Sequence, residues 1–139
     1  MSIEHKSGIP ELKIDGKLIP NVLLANKYFQ IKEVIANQAF GSKEEVGRVF
    51  DDSYINEKSE EDGGLAVDSL DTVEIMMKVE DIIGREMADE HAQYVGQVFH
   101  VAHFYDVSEA EKNQPGVLNR WMQIRNKEIT DFMNQNPRK

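Results

Sequence analysis

Asp68-Ser69-Leu70-Asp71-Thr72-Val73-Glu74-Ile75-Met76-Met77-Lys78-Val79-Glu80-Asp81 is the stretch on which the fold turns. At about 100° per residue, Thr72, Ile75, Met76, Val79, Ile82 and Ile83 share one face, as a helix packed on a core requires. Leu70, Val73 and Met77 fall on the opposite face, among Asp71, Glu74, Glu80 and Asp81. Two accounts of that second face are open. It is a solvated acidic face with a few exposed apolar residues, which are common on folded surfaces, or it is an apolar stripe rimmed by acids that docks basic partners.

Asp-Ser-Leu-Asp-Thr-Val-Glu-Ile, followed by Met77 and the Glu80-Asp81 pair, resembles the modification site and second helix of acyl carrier proteins of the fatty-acid-synthesis type. The resemblance implies that Ser69 is the attachment point of 4′-phosphopantetheine. Asp68, Leu70, Asp71, Val73, Glu74, Met77, Glu80 and Asp81 would then form the surface read by partner enzymes. Those partners are a holo-acyl-carrier-protein synthase or other phosphopantetheinyl transferase, and acyl-processing enzymes with basic docking patches. The implied fold is all-α, an acyl-carrier-protein-like four-helix bundle. Here it would carry an N-terminal hairpin or arm and an added C-terminal helix.

The likeness extends to Ile31-Lys32-Glu33-Val34-Ile35-Ala36 and Lys43-Glu44-Glu45-Val46, which resemble the end of the family's first helix and the loop after it. Asp52-Ser53-Tyr54-Ile55 is similar to that loop's small-Ser-aromatic-apolar element. The sequence departs from the pattern where Ala66 replaces a glycine and Gly64 an acid, and residues 56–64 read as a polar insertion. Oxygen ligands at Ser59-Glu60-Glu61-Asp62 lack the alternating spacing of a calcium loop, so no metal site is expected there.

Around this centre the 139 residues suit one domain with appendages. The expected divisions are an N-terminal arm or short hairpin over 1–20, a helical bundle over 21–106 and a helical extension over 107–139. Of the net charge of −9, residues 41–90 carry −11, while the flanking thirds carry +1 each. That acidity repels phosphate backbones, so nucleic acid is not an expected partner. The chain has no cysteine, which excludes disulfides, thiolate metal sites and a cysteine nucleophile. With neither a secretory or transit pattern nor a membrane span in the sequence, a cytoplasmic protein is expected.

Asp15-Gly16 between short alternating runs is a hairpin signal, although an irregular arm held by Leu12, Ile14, Leu18 and Ile19 fits the same residues. Asn21 is placed to cap a helix over 22–39 whose buried stripe is Leu24, Tyr28, Ile31, Ile35 and Ala39. Gly84 ends the second helix, Asp89 begins a short third, and Gln97 to Tyr105 reads as a fourth that buries Val98, Val101, Ala102 and Tyr105. His100 and His103 have the spacing of two ligands but no third, and are expected as partly exposed helical histidines. Ser108 reads as the N-cap of a further segment. Val117, Leu118, Trp121, Met122, Arg125, Ile129, Phe132 and Met133 follow helical spacing and must dock, on the bundle with Trp121 as anchor or on a partner.

The activity the resemblance implies is that of a carrier without catalytic residues of its own, holding acyl thioesters for fatty-acid or related lipid or secondary-metabolite synthesis. An aminoacyl or polyketide carrier and an unmodified acidic helical adaptor remain as alternatives. A hydrolase with Ser69 as nucleophile would need the flanking glycines of Gly-x-Ser-x-Gly, and Val67 and Asp71 stand there instead.

Overall fold

Asp15 and Gly16 both take left-handed backbone, φ 52° and 84°, as a two-residue type I′ hairpin turn demands. In the computed structural model, which describes residues 8–55, 65, 69–86 and 94–135, the turn joins β1 (Leu12–Ile14) to β2 (Lys17–Ile19). The antiparallel register sets Leu12 opposite Ile19 and Ile14 opposite Lys17. Ile14 and Ile19 thereby face inward and are buried, while Leu18 points out. Strands this short are marginal alone. The hairpin leans on the helices below, and Arg120 Nε closes on the Asp15 carboxylate at 3.0 Å.

Among the described residues four α-helices follow: α1 (Ala25–Phe40), α2 (Ser69–Ile83), α3 (Phe99–Ala110) and α4 (Val117–Gln135), with a 3-10 helix at Lys43–Arg48. The fold is therefore mostly helical, with one small two-stranded sheet. α1 packs on the 3-10 helix and on α2, α4 packs on α3 and β1, and β2 touches α3.

α1 begins later than its sequence suggests, and Asn21 does not cap it. Leu24 occupies the N-cap position with no side-chain cap bond and is exposed rather than part of the buried stripe, which is Tyr28, Ile31, Ile35 and Ala36. The segment leading into α1 is held from α3, where Asp106 Oδ1 accepts the N–H groups of Val22 at 2.9 Å and Leu23 at 3.2 Å. A carboxylate 84 residues away thus takes backbone donors just ahead of the helix, and the first turn of α1 itself has no side-chain cap.

α3 also differs from expectation. It runs on through Ser108, whose hydroxyl donates to the Phe104 carbonyl at 2.7 Å. That back-bond satisfies the hydroxyl inside a helix, so Ser108 continues α3 instead of starting a new segment. Tyr105 is half-buried. The acid that does serve the next helix is Glu111, whose carboxylate accepts from Gly116 N at 2.8 Å and Leu118 N at 2.9 Å.

α4 buries Val117, Trp121 and Arg125 at i, i+4 and i+8, and the Trp121 ring lies 6.2 Å from that of Phe104. The C-terminal stripe therefore docks on the chain's own bundle, with Leu118, Met122, Ile124 and Ile129 half-buried along it and Phe132 exposed. The stretch 56–64, the expected third helix from Asp89 and the Met133 side chain lie outside the described residues.

The segment before α2 is stitched to the start of α3. Ile55 N donates to Gly96 O at 2.9 Å, Val98 N to Ser53 O at 2.9 Å and Phe99 N to Asp51 O at 2.9 Å, while Leu65 N returns to Tyr54 O at 3.1 Å. Asp51 is the hub beneath this seam: its carboxylate accepts from Tyr28 Oη at 2.7 Å and Gly8 N at 2.6 Å, and pairs with Lys32 Nζ at 2.7 Å. Burial alone would raise the Asp51 carboxyl, but the bonds from Lys32, Tyr28 and Gly8 outweigh it and hold the group below the usual carboxylate range. Burial, and then the same contact with Asp51, push the Tyr28 phenol up.

A depressed folded-state value stabilises above the unfolded one and is lost as pH falls through the folded one. Asp51→Asn is accordingly expected to cost about 1 to 3 kcal/mol at neutral pH. The deficit should shrink on acidification, as followed by urea midpoints across pH. A deficit constant with pH would assign it to lost packing instead.

Candidate functional site

α2 begins at Ser69, directly after residues 66–68, which lie outside the described residues. Its backbone therefore places Ser69 in the first turn, where helix N–H groups lack intrahelical acceptors. Asp68 and the side chains of Ser69 and Leu70 lie outside the described residues. From Asp71 onward the two faces separate as the periodicity requires. Ile75, Met76 and Val79 are buried, with Thr72, Ile82 and Ile83 half-buried beside them.

On the other side Val73 is 55% and Met77 61% exposed, so the apolar stripe is in water. Glu74 and Asp81 are exposed, and Asp71 and Glu80 half-buried. Glu74, Met77, Lys78, Glu80 and Asp81 line an open depression of about 410 Å³. Its chemistry is that of a methionine flanked by three carboxylates, with Lys78 the one cation among its lining residues. Such a surface attracts a partner carrying Lys or Arg around an apolar contact.

Gln38 on α1 belongs to this surface, and sequence reasoning missed it. Its Nε2 donates to Asp71 Oδ1 at 2.7 Å and to Glu74 Oε2 at 3.0 Å. Both amide hydrogens are thus spent, and two like charges one helical turn apart are held together. A lone Gln at the end of an amphipathic helix gives no signal of this, because its role depends on how α1 packs on α2.

α2 ends as Gly84 takes φ 66° and its N–H and that of Arg85 close on the Glu80 carbonyl at 2.9 and 3.2 Å, a left-handed helix stop. Arg85 then reaches α3, where its Nη2 donates to Glu109 and its guanidinium sits 5.6 Å from the Tyr105 ring centroid. This fixes the far end of α2 to the bundle.

His100 and His103 are each only 5% exposed, not partly exposed as the helix pattern suggested. His100 Nδ1 accepts from Gln97 N at 2.9 Å and Gly96 N at 3.2 Å, so it is the neutral imidazole that caps the start of α3 from within. Burial first, then the nearby Arg125 charge, lowers it to about 2. His103 Nε2 meets Pro10 O at 2.8 Å and is also lowered by burial. Both rings are therefore spent on structure, and among the described residues no cluster of three metal-ligating side chains forms.

No helix among the described residues is long and apolar enough to cross a membrane. Comparison with protein-family models, with curated proteins and with solved structures finds no match to this chain.

Proposed function

We propose that the chain is an acyl carrier protein of the fatty-acid-synthesis type, which carries acyl groups on 4′-phosphopantetheine attached to Ser69. The observation that supports this best is the division of α2: a helix starting at Ser69 buries one face and leaves Val73 and Met77 in water among carboxylates. A residue that merely filled the core would need no such outer stripe. The phosphodiester fits the position, because an anion at a helix N-terminus is favoured by free N–H groups and by the helix dipole.

When bound, the prosthetic group supplies the thiol on which acyl groups ride as thioesters, which a cysteine-free chain lacks. The protein's own residues bind and orient. The packed face of α2 fixes the helix on α1, Gln38 holds Asp71 and Glu74 in place, and the carboxylates steer a phosphopantetheinyl transferase or an acyl-processing enzyme toward Ser69. Apart from the Ser69 hydroxyl that takes the prosthetic group, no residue of the chain performs the chemistry, and its setting is the cytoplasm, where these partners and coenzyme A meet it.

Intact mass after co-expression with a broad-specificity phosphopantetheinyl transferase tests the proposal. A gain of one phosphopantetheinyl group is expected, and an unchanged mass would favour the unmodified acidic adaptor. Partner recognition has its own test. Glu74→Lys should slow association with the transferase by about tenfold at low salt and flatten its salt dependence. Its urea midpoint should move by no more than about 0.5 kcal/mol equivalent, as for an exposed site. An unaltered association rate would remove Glu74 from the recognition surface.

A further inference from the structure

α3 ends beside the segment that joins β2 to α1. Between them lies an open groove of about 360 Å³, lined by Pro20, Val22, Tyr105, Asp106, Glu109 and the turn after α3. Asp106 is 3% exposed, and its Oδ1 takes both backbone donors described above. Its Oδ2 has no hydrogen-bond partner among the described residues. A carboxylate this buried ordinarily has its charge paired, and this one faces a groove instead of a cation.

The nearby cations are engaged elsewhere. Lys112 Nζ lies 3.0 Å from Glu109 Oε2, and Arg85 donates to the other oxygen of the same carboxylate. Two cations thus converge on Glu109, and neither reaches Asp106. The groove also lies at the C-terminal end of α3, where the helix dipole favours positive charge. Pro20, Val22 and Ala110 add apolar wall.

We propose that this groove binds a small organic cation, a primary ammonium on a short apolar stem. The ammonium donates to Asp106 Oδ2 and the stem lies against Pro20, Val22 and Ala110. The site stands apart from Ser69 and does not depend on the carrier function. The Asp106 carboxyl is raised by burial to about 6, in spite of the two backbone bonds that lower it. Of the groups around the groove, Glu109 is held below the usual range, first by Lys112 and also by Arg85. Tyr105, Lys112 and Arg85 are the other titratable groups there, and Pro20 and Val22 of the facing segment carry none. The Asp106 carboxylate, and the affinity with it, is lost as pH falls through about 6.

The experiment is a titration of the full ¹⁵N-labelled chain with n-butylammonium chloride, with sodium chloride and n-butanol as controls. Saturable amide shifts centred on Val22, Leu23, Tyr105 and Gln114 are expected with the amine alone. Asp106→Asn, which keeps an acceptor for Val22 and Leu23, should weaken binding by about tenfold or more. Lowering the pH of the wild-type chain through about 6 should do the same, which serves if the variant does not fold. A lysine blocked at both ends, run in parallel, separates the two sources of the ammonium: tighter binding than the free amine indicates a protein-borne lysine, and weaker binding a free metabolite. Shifts that do not saturate, that n-butanol reproduces, or that persist unchanged at low pH would overturn the site.

Discussion

Ser69→Ala is expected to abolish the mass gain completely, while circular dichroism and the urea midpoint stay close to wild type. The chain has six other serines, at positions 2, 7, 42, 53, 59 and 108. Three of these have structural work that argues against modification. Ser42 Oγ accepts the N–H of Glu44 at 3.2 Å, Ser53 Oγ accepts that of Phe50 at 3.0 Å from a buried position, and Ser108 is bonded inside α3. Among the described serines, Ser69 alone opens a long helix with an exposed apolar and acidic face downstream. A hydroxyl-bearing replacement, Ser69→Thr, separates loss of the nucleophile from loss of the local turn, since β-branching crowds the oxygen without removing it. A mass gain that survives in Ser69→Ala would move the attachment to another serine and take the assignment of the recognition helix with it.

Trp121→Ala is expected to destabilise the fold by about 3 to 5 kcal/mol by denaturant unfolding, as for large aromatic truncations in closed cores. Trp121 is 1% exposed and stands against Phe104, with Val117 and Arg125 one turn away on either side. Arg125 in turn holds Tyr94 O at 2.8 Å through Nε. Removing the indole therefore leaves a cavity at the one place where α4 is fully inserted. The fraction that stays folded should still accept the prosthetic group, because α4 packs on α3 and β1. A loss below about 1 kcal/mol, the range of surface substitutions, would mean that α4 is held by its periphery.

What the sequence disclosed follows from where the information lies. The inward face of α2, the Asp15-Gly16 turn and the helical spacing of the Trp121 stripe each rest on neighbours within a few residues. Helical and strand periods expose such features directly. The Asp106 bonds to the segment ahead of α1, the contact of His103 with Pro10 and the bridge from Gln38 rest on groups from distant segments. Asn21 has the right chemistry to cap a helix, yet α1 begins only at Ala25 and Asp106 takes the Val22 and Leu23 N–H groups from another helix. His100 on its own helix pattern looks half-exposed, but it is buried, and its ring nitrogen accepts two backbone N–H groups of the preceding turn. Residue type could suggest these partners, but only packing chose among them. The role of Ser69 rests on motif resemblance and on the helix that begins there.

The bond from Leu65 N to Tyr54 O bears on how freely the chain's length can vary. It holds Leu65 against Tyr54, on either side of residues 56–64. Lengthening the connection between two points already held together costs entropy that grows only logarithmically, with each doubling of length adding about 0.6 kcal/mol. Residues can be gained or lost between Ile55 and Leu65 at little expense to α1, α3 or α4. The same junction is the natural place to graft a reporter sequence.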